Sequence, residues 1–112
     1  MSELEQLSEK ILQFRDERNW HQFHNPKDLA LSLSLEASEL LELFQWKTSE
    51  EAVEKNLEKM KEELADIITY ALLFANETNI DVVSAAHKKL TKNDKKYPVE
   101  KSFGSNKKYT EF

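Results

Sequence analysis

Three observations predict an all-α protein. The 112 residues include one glycine and two prolines, too few for the turns of a β-rich fold. Apolar residues recur at helical spacing through most of the chain. Two capping-box patterns, Ser2-Glu3-Leu4-Glu5 and Thr48-Ser49-Glu50-Glu51, mark helix starts. We expect a single domain built as a bundle of about four helices, with long helices shared between subunits as a dimer or tetramer.

The expected elements follow one another with short connections. Asn25 and Pro26 have the residue types of an N-cap and a first helical position, and Asp81 is a second candidate N-cap. Because Pro98 ends the last periodic stretch, residues 1–98 form the predicted domain. Residues 99–112 are predicted to be an extended or disordered tail, or a segment that docks on a neighbouring subunit. The four helices are expected at about residues 3–18, 27–46, 50–76 and 82–97.

Composition excludes several classes of site. The chain has no cysteine, which removes disulfides, thiolate zinc sites and cysteine nucleophiles. A single glycine cannot make a glycine-rich phosphate loop. The sequence has no signal-peptide pattern and no apolar run of about 18 residues, so we expect a cytoplasmic protein without a membrane segment.

The net charge of −5 conceals an uneven distribution. Between His87 and Lys108 there are eight lysines and two carboxylates, whereas the remainder is strongly acidic. Binding to duplex nucleic acid usually requires a broad basic face, so it is not expected. An acidic body with a local basic segment fits a metal site beside a polyanionic ligand better.

Two pairs of carboxylates are the main candidate site. Glu36 and Glu39 are three residues apart, as are Glu63 and Asp66, so each pair lies on one helical face. Four hard oxygen donors from two packed helices suit Mg²⁺, with Mn²⁺ as a possible substitute. Periodicity does not decide whether Glu62 or Glu63 points inward.

Glu36 is the most informative acid. It falls among leucines on a helix that is apolar around nearly its whole circumference, and we expect that helix to be central and buried. Buried charges are usually paired or bound to a metal. A salt-bridged glutamate is the alternative, but no lysine or arginine lies between Leu29 and Trp46.

Two other segments have both a structural and a functional interpretation. Trp20 and Phe23 in the loop after the first helix could plug the end of the bundle or contact a ligand. Lys89, Asn93 and Lys96, spaced by four and three, could form a solvated face or line a phosphate path.

Beyond these local features, the sequence resembles the MazG superfamily of all-α nucleotide pyrophosphohydrolases, whose signature is Glu-x-x-Glu, a spacer, then Glu-x-x-Asp. The resemblance covers about residues 5–98 and is strongest to the dCTP pyrophosphatase-like branch. One departure is Ile11, where some members place a histidine against the base. The segments that carry the resemblance are Phe14–Trp20, Gln22–Pro26, Glu36–Trp46, Glu62–Tyr70 and Lys89/Asn93/Lys96-Tyr97-Pro98.

The resemblance implies a division of roles around the acids and a homodimer or homotetramer with sites near subunit contacts. By similarity, the metal ligands would be Glu36, Glu39, Glu63 and Asp66. The base and sugar contacts would be Trp20, Trp46 and Tyr70, with His24 also in the substrate site. The phosphate contacts would be Lys89, Asn93, Lys96 and Tyr97.

The expected activity is Mg²⁺-dependent hydrolysis of a (deoxy)nucleoside triphosphate to monophosphate and pyrophosphate, as a form of nucleotide-pool sanitation. We expect dCTP or a related or modified dNTP as substrate, with Glu36 or Glu39 orienting the attacking water. Two alternatives are a preference for dUTP or purine dNTPs, and a non-catalytic helical interaction module.

Overall fold

The computed structural model describes all 112 residues and is helical, without strands, as the sequence predicts. Its contacts divide the chain into two compact units, residues 1–79 and 80–112, so the division falls before the last long helix. No helix combines the length and the apolar composition that crossing a bilayer requires. The helices are α1 (Glu3–Glu17), α2 (Pro26–Glu42), α3 (Ser49–Thr78), α4 (Val82–Lys96) and the short α5 (Val99–Ser102).

The first unit consists of α1, α2 and α3, with α2 and α1 both packed against α3. Side-chain caps begin each helix as expected: Ser2 accepts from the Glu5 amide, and Asn25 accepts from the Asp28 amide. Thr48 and Glu51 form the predicted reciprocal capping box of α3. The sequence therefore predicted the starts of these helices correctly.

The end of α2 differs from the expectation. The helix stops at Glu42, four residues before Trp46, and residues 43–46 form turns that finish with Trp46 at φ 63°. Asn56, which lies at a kink in α3, donates from Nδ2 to the carbonyl oxygen of Leu43 at 3.0 Å. This bond satisfies one of the carbonyls left free at a helix end and fixes the termination of α2 from another element.

The expectation that α2 is a buried central helix is wrong for the single chain. Of its apolar residues only Leu29 is fully buried, whereas Leu31, Leu35 and Leu41 are more than half exposed. The core of the first unit lies instead between Leu29 and small or aliphatic residues of α3. Those α3 residues are Ala52, Met60, Leu72, Leu73 and Ala75.

The second unit contains α4, capped by Asp81 as predicted, and residues 97–112. The latter segment has more structure than the sequence suggests: it includes α5 and a 3₁₀ turn at Tyr109–Glu111. The rings of Tyr109 and Phe112 each meet the Tyr97 ring edge-on, with centroids 5.9 Å apart. An aromatic cluster therefore folds the chain end back onto the C-terminus of α4.

Candidate metal and nucleotide site

Three of the predicted acids meet in the first unit. One carboxylate oxygen each from Glu36, Glu39 and Glu63 lie within 4.8 Å of one another, and we call these three residues the carboxylate cluster. Glu36 and Glu39 occupy one face of α2, and Glu63 faces them from α3. The structure thus brings Glu63 into the cluster and leaves Glu62 exposed, which resolves the choice that periodicity left open.

The pKa values of two carboxyl groups in the carboxylate cluster are raised. Burial, followed by the close approach of Glu39 and Glu63, raises the pKa of Glu36 to about 7. The pKa of Glu63 is raised as well, first by the Glu39 carboxyl group and then by burial. Oε2 of Glu36 and Oε2 of Glu63 are both buried without a hydrogen-bond partner. Buried carboxylate oxygens without a donor are expected where a cation is the missing partner.

The donor set fits a hard divalent cation. Three carboxylates from two helices supply only oxygen ligands, which Mg²⁺ and Mn²⁺ prefer. A salt-bridged structural role for Glu36 is not supported, because none of the chain's ion pairs includes Glu36. The predicted fourth ligand, Asp66, is exposed and is not one of the three residues of the cluster, so its role as a ligand stays a prediction.

Asp66 connects the cluster to a neighbouring cavity. Its charge contributes to the raised pKa values of both Glu36 and Glu63, and its side chain lines a cavity of about 220 Å³. We call this the aromatic cavity. Its lining residues are Ile11, Phe14, Arg15, Trp20, His24, Asp66, Thr69, Tyr70 and Leu73.

Three of the predicted substrate contacts lie in the aromatic cavity: Trp20, His24 and Tyr70. The loop that carries Trp20 begins with Asn19 in the left-handed region at φ 54°, and the Trp20 amide donates to the Arg15 carbonyl. Asparagine tolerates this conformation better than most residues. The Trp20 ring then meets Phe14 edge-on at 5.8 Å between centroids. Trp20 is therefore packed against α1.

The remaining predicted contacts lie elsewhere. Trp46 is 92% exposed in the turn after α2 and does not line the cavity. Lys89, Asn93 and Lys96 share a face of α4, and Tyr97 is its C-cap, all in the second unit. Lys96 Nζ lies 4.9 Å from the Tyr109 ring centroid. The roles of these residues stay predictions.

Sequence reasoning missed Arg15, which the cavity includes and which is only 7% exposed. A signal for it was present. Ile11 and Phe14 belong to the apolar stripe of α1, and Arg15 is four residues after Ile11 and so on the same side. The same pattern, a charged residue on an apolar face of a helix, led to the prediction that Glu36 is a site residue.

The fold and site define an all-α protein with a cation-compatible acidic centre next to an aromatic cavity. The chain belongs to the MazG-like family, whose family model matches residues 31–112. It is 38% identical to dCTP pyrophosphatase 1 of Mus musculus and 39% identical to that of Bos taurus, in alignments 113 residues long that cover 96% of the chain. It spans about two thirds of the length of these relatives, 66% and 67% respectively.

A solved structure shares the fold. The crystal structure of a pyrophosphatase from Archaeoglobus fulgidus superposes with a TM-score of 0.83 and is 38% identical in sequence. The match covers 88% of the present chain and 94% of the archaeal one. The family resemblance expected from the sequence is therefore confirmed, together with the all-α fold.

Proposed function

We propose that the protein is a nucleoside triphosphate pyrophosphohydrolase that converts a dNTP, preferably dCTP or a related modified nucleotide, to the monophosphate and pyrophosphate. The observation that carries this proposal is the convergence of the three-carboxylate cluster with the aromatic cavity through Asp66. The names of the mammalian relatives support the substrate class. The role would be nucleotide-pool sanitation in the cytoplasm.

The cation is expected to be Mg²⁺, held by Glu36, Glu39 and Glu63 with Asp66 as a further ligand. When bound, Mg²⁺ would supply positive charge that polarises the phosphate oxygens of the substrate. The orphaned oxygens of Glu36 and Glu63 support this assignment, because binding a cation would satisfy both. Mn²⁺ is expected to substitute, since it accepts the same oxygen ligands.

The chain's own residues divide the remaining tasks. Trp20 and Tyr70 offer ring faces on which a base can stack inside the aromatic cavity. Glu36 or Glu39 orients the water that attacks the α-phosphorus and accepts its proton. Lys89, Asn93, Lys96 and Tyr97 contact the phosphates, a role supported by the common face of the first three on a basic helix and by the position of Tyr97 at its C-cap.

Self-association would complete the site. Large apolar side chains on α2 and α3 remain exposed, and contiguous exposed apolar surface is typical of an interface. We therefore propose a homodimer or homotetramer in which Trp46 contacts the substrate of a neighbouring copy. The exposed residues that support this are Leu31, Leu35, Leu41, Trp46, Leu57, Leu64 and Ile68.

A nucleotide panel tests the proposed activity. Wild-type protein is incubated with each dNTP in Mg²⁺, in Mn²⁺ and in EDTA, and products are separated by chromatography. The proposal expects monophosphate and pyrophosphate in both metals and neither in EDTA. In H₂¹⁸O the label should enter the monophosphate, because the attack is at the α-phosphorus. Release of orthophosphate, label in pyrophosphate, or a rate unaffected by EDTA would overturn the proposal.

A mixing experiment tests the shared site. Glu36→Gln and Trp46→Ala should each be inactive or strongly impaired alone. When the two variants are mixed in equal amounts and exchange subunits, half of the dimers should be mixed, and each mixed dimer should have one intact site out of two. The mixture should therefore recover roughly a quarter of wild-type activity. Light scattering on wild-type protein gives the assembly size. A monomer, or no recovery on mixing, would show that Trp46 does not act across subunits.

A further inference from the structure

Arg15 is a buried cation with most of its hydrogen-bonding capacity unused. It is only 7% exposed, and its Nε donates to Oδ1 of Asp16 at 2.8 Å, the only hydrogen bond that its side chain makes. A guanidinium has five N–H donors and keeps its charge at any physiological pH. The four N–H groups on the two terminal nitrogens of Arg15 make no hydrogen bond within the chain, and neither nitrogen is among the fully buried unpaired atoms, so these groups are free to donate to a ligand. A ligand with suitably placed acceptor atoms can therefore use these donors.

Arg15 is also part of the wall of the aromatic cavity. The residue lines that cavity beside Trp20, His24 and Tyr70. Burial, and after it the charge of Arg15, lowers the pKa of His24. Nδ1 of His24 is itself buried without a hydrogen-bond partner. The cavity therefore combines aromatic residues with the free N–H donors of Arg15 and an unpaired ring nitrogen of His24, the combination needed to bind a planar base and hydrogen-bond to its edge.

We propose that Arg15 selects the base by donating from its two terminal nitrogens to two adjacent acceptor atoms on the base edge. This inference rests on the proposed nucleotide hydrolysis and names the substrate class more narrowly. Cytosine presents O2 next to N3, and guanine presents O6 next to N7, so both match the planar fork of a guanidinium. In thymine, uracil and adenine each acceptor on the pairing edge is next to an N–H donor. The two terminal nitrogens of Arg15 therefore favour cytosine and guanine over these three bases.

Ile11 makes the requirement for Arg15 stronger. It lines the same cavity and offers no hydrogen bond, so the polar recognition of the base must come from other residues. Among the lining residues Arg15 is the only one that carries a permanent positive charge. Paired hydrogen bonds from its guanidinium can distinguish one base from another, whereas stacking on Trp20 or Tyr70 accepts any base.

The test compares base discrimination in wild-type protein, Arg15→Lys and Arg15→Met. The quantities measured are kcat and KM for dCTP, dGTP, dTTP, dUTP and dATP in Mg²⁺. In Arg15→Lys we expect the ratio of kcat/KM for dCTP to kcat/KM for dTTP to fall by about ten- to a hundredfold. This variant keeps the positive charge but loses the paired N–H donors of the planar guanidinium. The change should appear mainly as a higher KM for dCTP, with KM for dTTP nearly unchanged.

Arg18→Lys is the matched control, since it makes the same chemical change on the next turn at a residue that does not line the cavity. It should leave the dCTP to dTTP ratio at the wild-type value. If Arg15 were only structural, its variants would lower kcat/KM for all five nucleotides equally, and that result would overturn the inference. Wild-type protein that hydrolyses nucleotides without preferring dCTP or dGTP would also overturn it. Failure to hydrolyse any nucleotide would instead refute the proposed function.

Discussion

Nε2 of His21 lies 2.9 Å from Oε2 of Glu77, and this hydrogen-bonded pair joins the loop after α1 to the last turns of α3 across 56 residues of sequence. The loop carries Trp20 and His24, which line the aromatic cavity, and α3 carries Tyr70, which lines the same cavity. The pair therefore holds two walls of one cavity at a fixed distance, although neither of its members lines the cavity.

Breaking this pair should weaken nucleotide binding without changing the chemical step. We expect His21→Ala and Glu77→Gln each to raise KM for dCTP about two- to tenfold while kcat stays near wild type, because a partly exposed pair contributes about 1 kcal/mol. Steady-state kinetics measure both constants. Glu58→Gln removes an exposed ion pair with Lys61 on the same helix and serves as the control. Equal effects in all three variants would argue against a role of the His21–Glu77 pair in the cavity.

The crowded negative charge of the carboxylate cluster should bind a cation and should destabilise the protein when no cation is bound. Replacing Glu36 with glutamine removes a crowded negative charge, so the metal-free protein should melt roughly 2–4 °C higher above neutral pH. The same variant should lose the increase in Tm that Mg²⁺ produces in wild-type protein. Glu62→Gln is the matched control, because Glu62 is exposed beside Glu63 and should alter neither quantity. A Glu36→Gln variant that melts lower and still responds to Mg²⁺ would contradict the assignment.

Stability should depend on pH through the same residue. The pKa of Glu36 is raised from 4.5 to about 7, so the folded protein binds this proton more tightly than the unfolded chain does. The resulting stabilisation is fully present below about pH 4.5 and is lost as pH rises through about 7. Thermal melts in EDTA should show wild-type Tm falling relative to Glu36→Gln across this interval. Parallel pH curves for the two proteins would contradict the prediction.

Mg²⁺ should reverse this trend, because the cation competes with the proton for the same oxygens. The Tm increase caused by a fixed Mg²⁺ concentration should therefore grow between about pH 4.5 and 7 and level off above that range. Thermal melts at several pH values, with and without Mg²⁺, measure this increase in Tm. A Mg²⁺ effect that does not change with pH would place the cation away from Glu36.

The hydrogen bond from Asn56 to the Leu43 carbonyl should stabilise the turn that carries Trp46. Asn56→Ala is expected to reduce the free energy of unfolding by about 1 kcal/mol, as typical for a partly buried side-chain hydrogen bond. Denaturant titration measures the change. Asn76→Ala, at an exposed asparagine of the same helix, should have a smaller effect. An unchanged midpoint in Asn56→Ala would show that this hydrogen bond does not contribute to stability.

The sequence predicted correctly those features that depend on interactions between residues close together in the chain. The helix starts at Ser2, Asn25, Thr48 and Asp81 were found from their capping residues, since a cap depends on the next three residues only. Glu36 was recognised because a carboxylate on an apolar helix needs a partner. The comparisons then confirmed the family to which these features belong.

Features that depend on distant residues were not predicted. The end of α2 depends on Asn56, the loop position depends on Glu77, and the docking of residues 109–112 depends on Tyr97. The exposure of leucines on α2 was missed because helical periodicity shows that a face is apolar without showing what covers it. For the same reason the roles of Trp46 and of the α4 lysines remain predictions.

The most direct test of the central claim is the rate of pyrophosphate release from dCTP in Mg²⁺ by wild-type protein and by Glu36→Gln and Asp66→Asn. The account predicts turnover by wild-type protein and a loss of about a hundredfold or more in each variant, because each removes negative charge from the cation site. Circular dichroism confirms that the variants are folded. Full Mg²⁺-dependent turnover in either folded variant would contradict the assignment of that residue to the site.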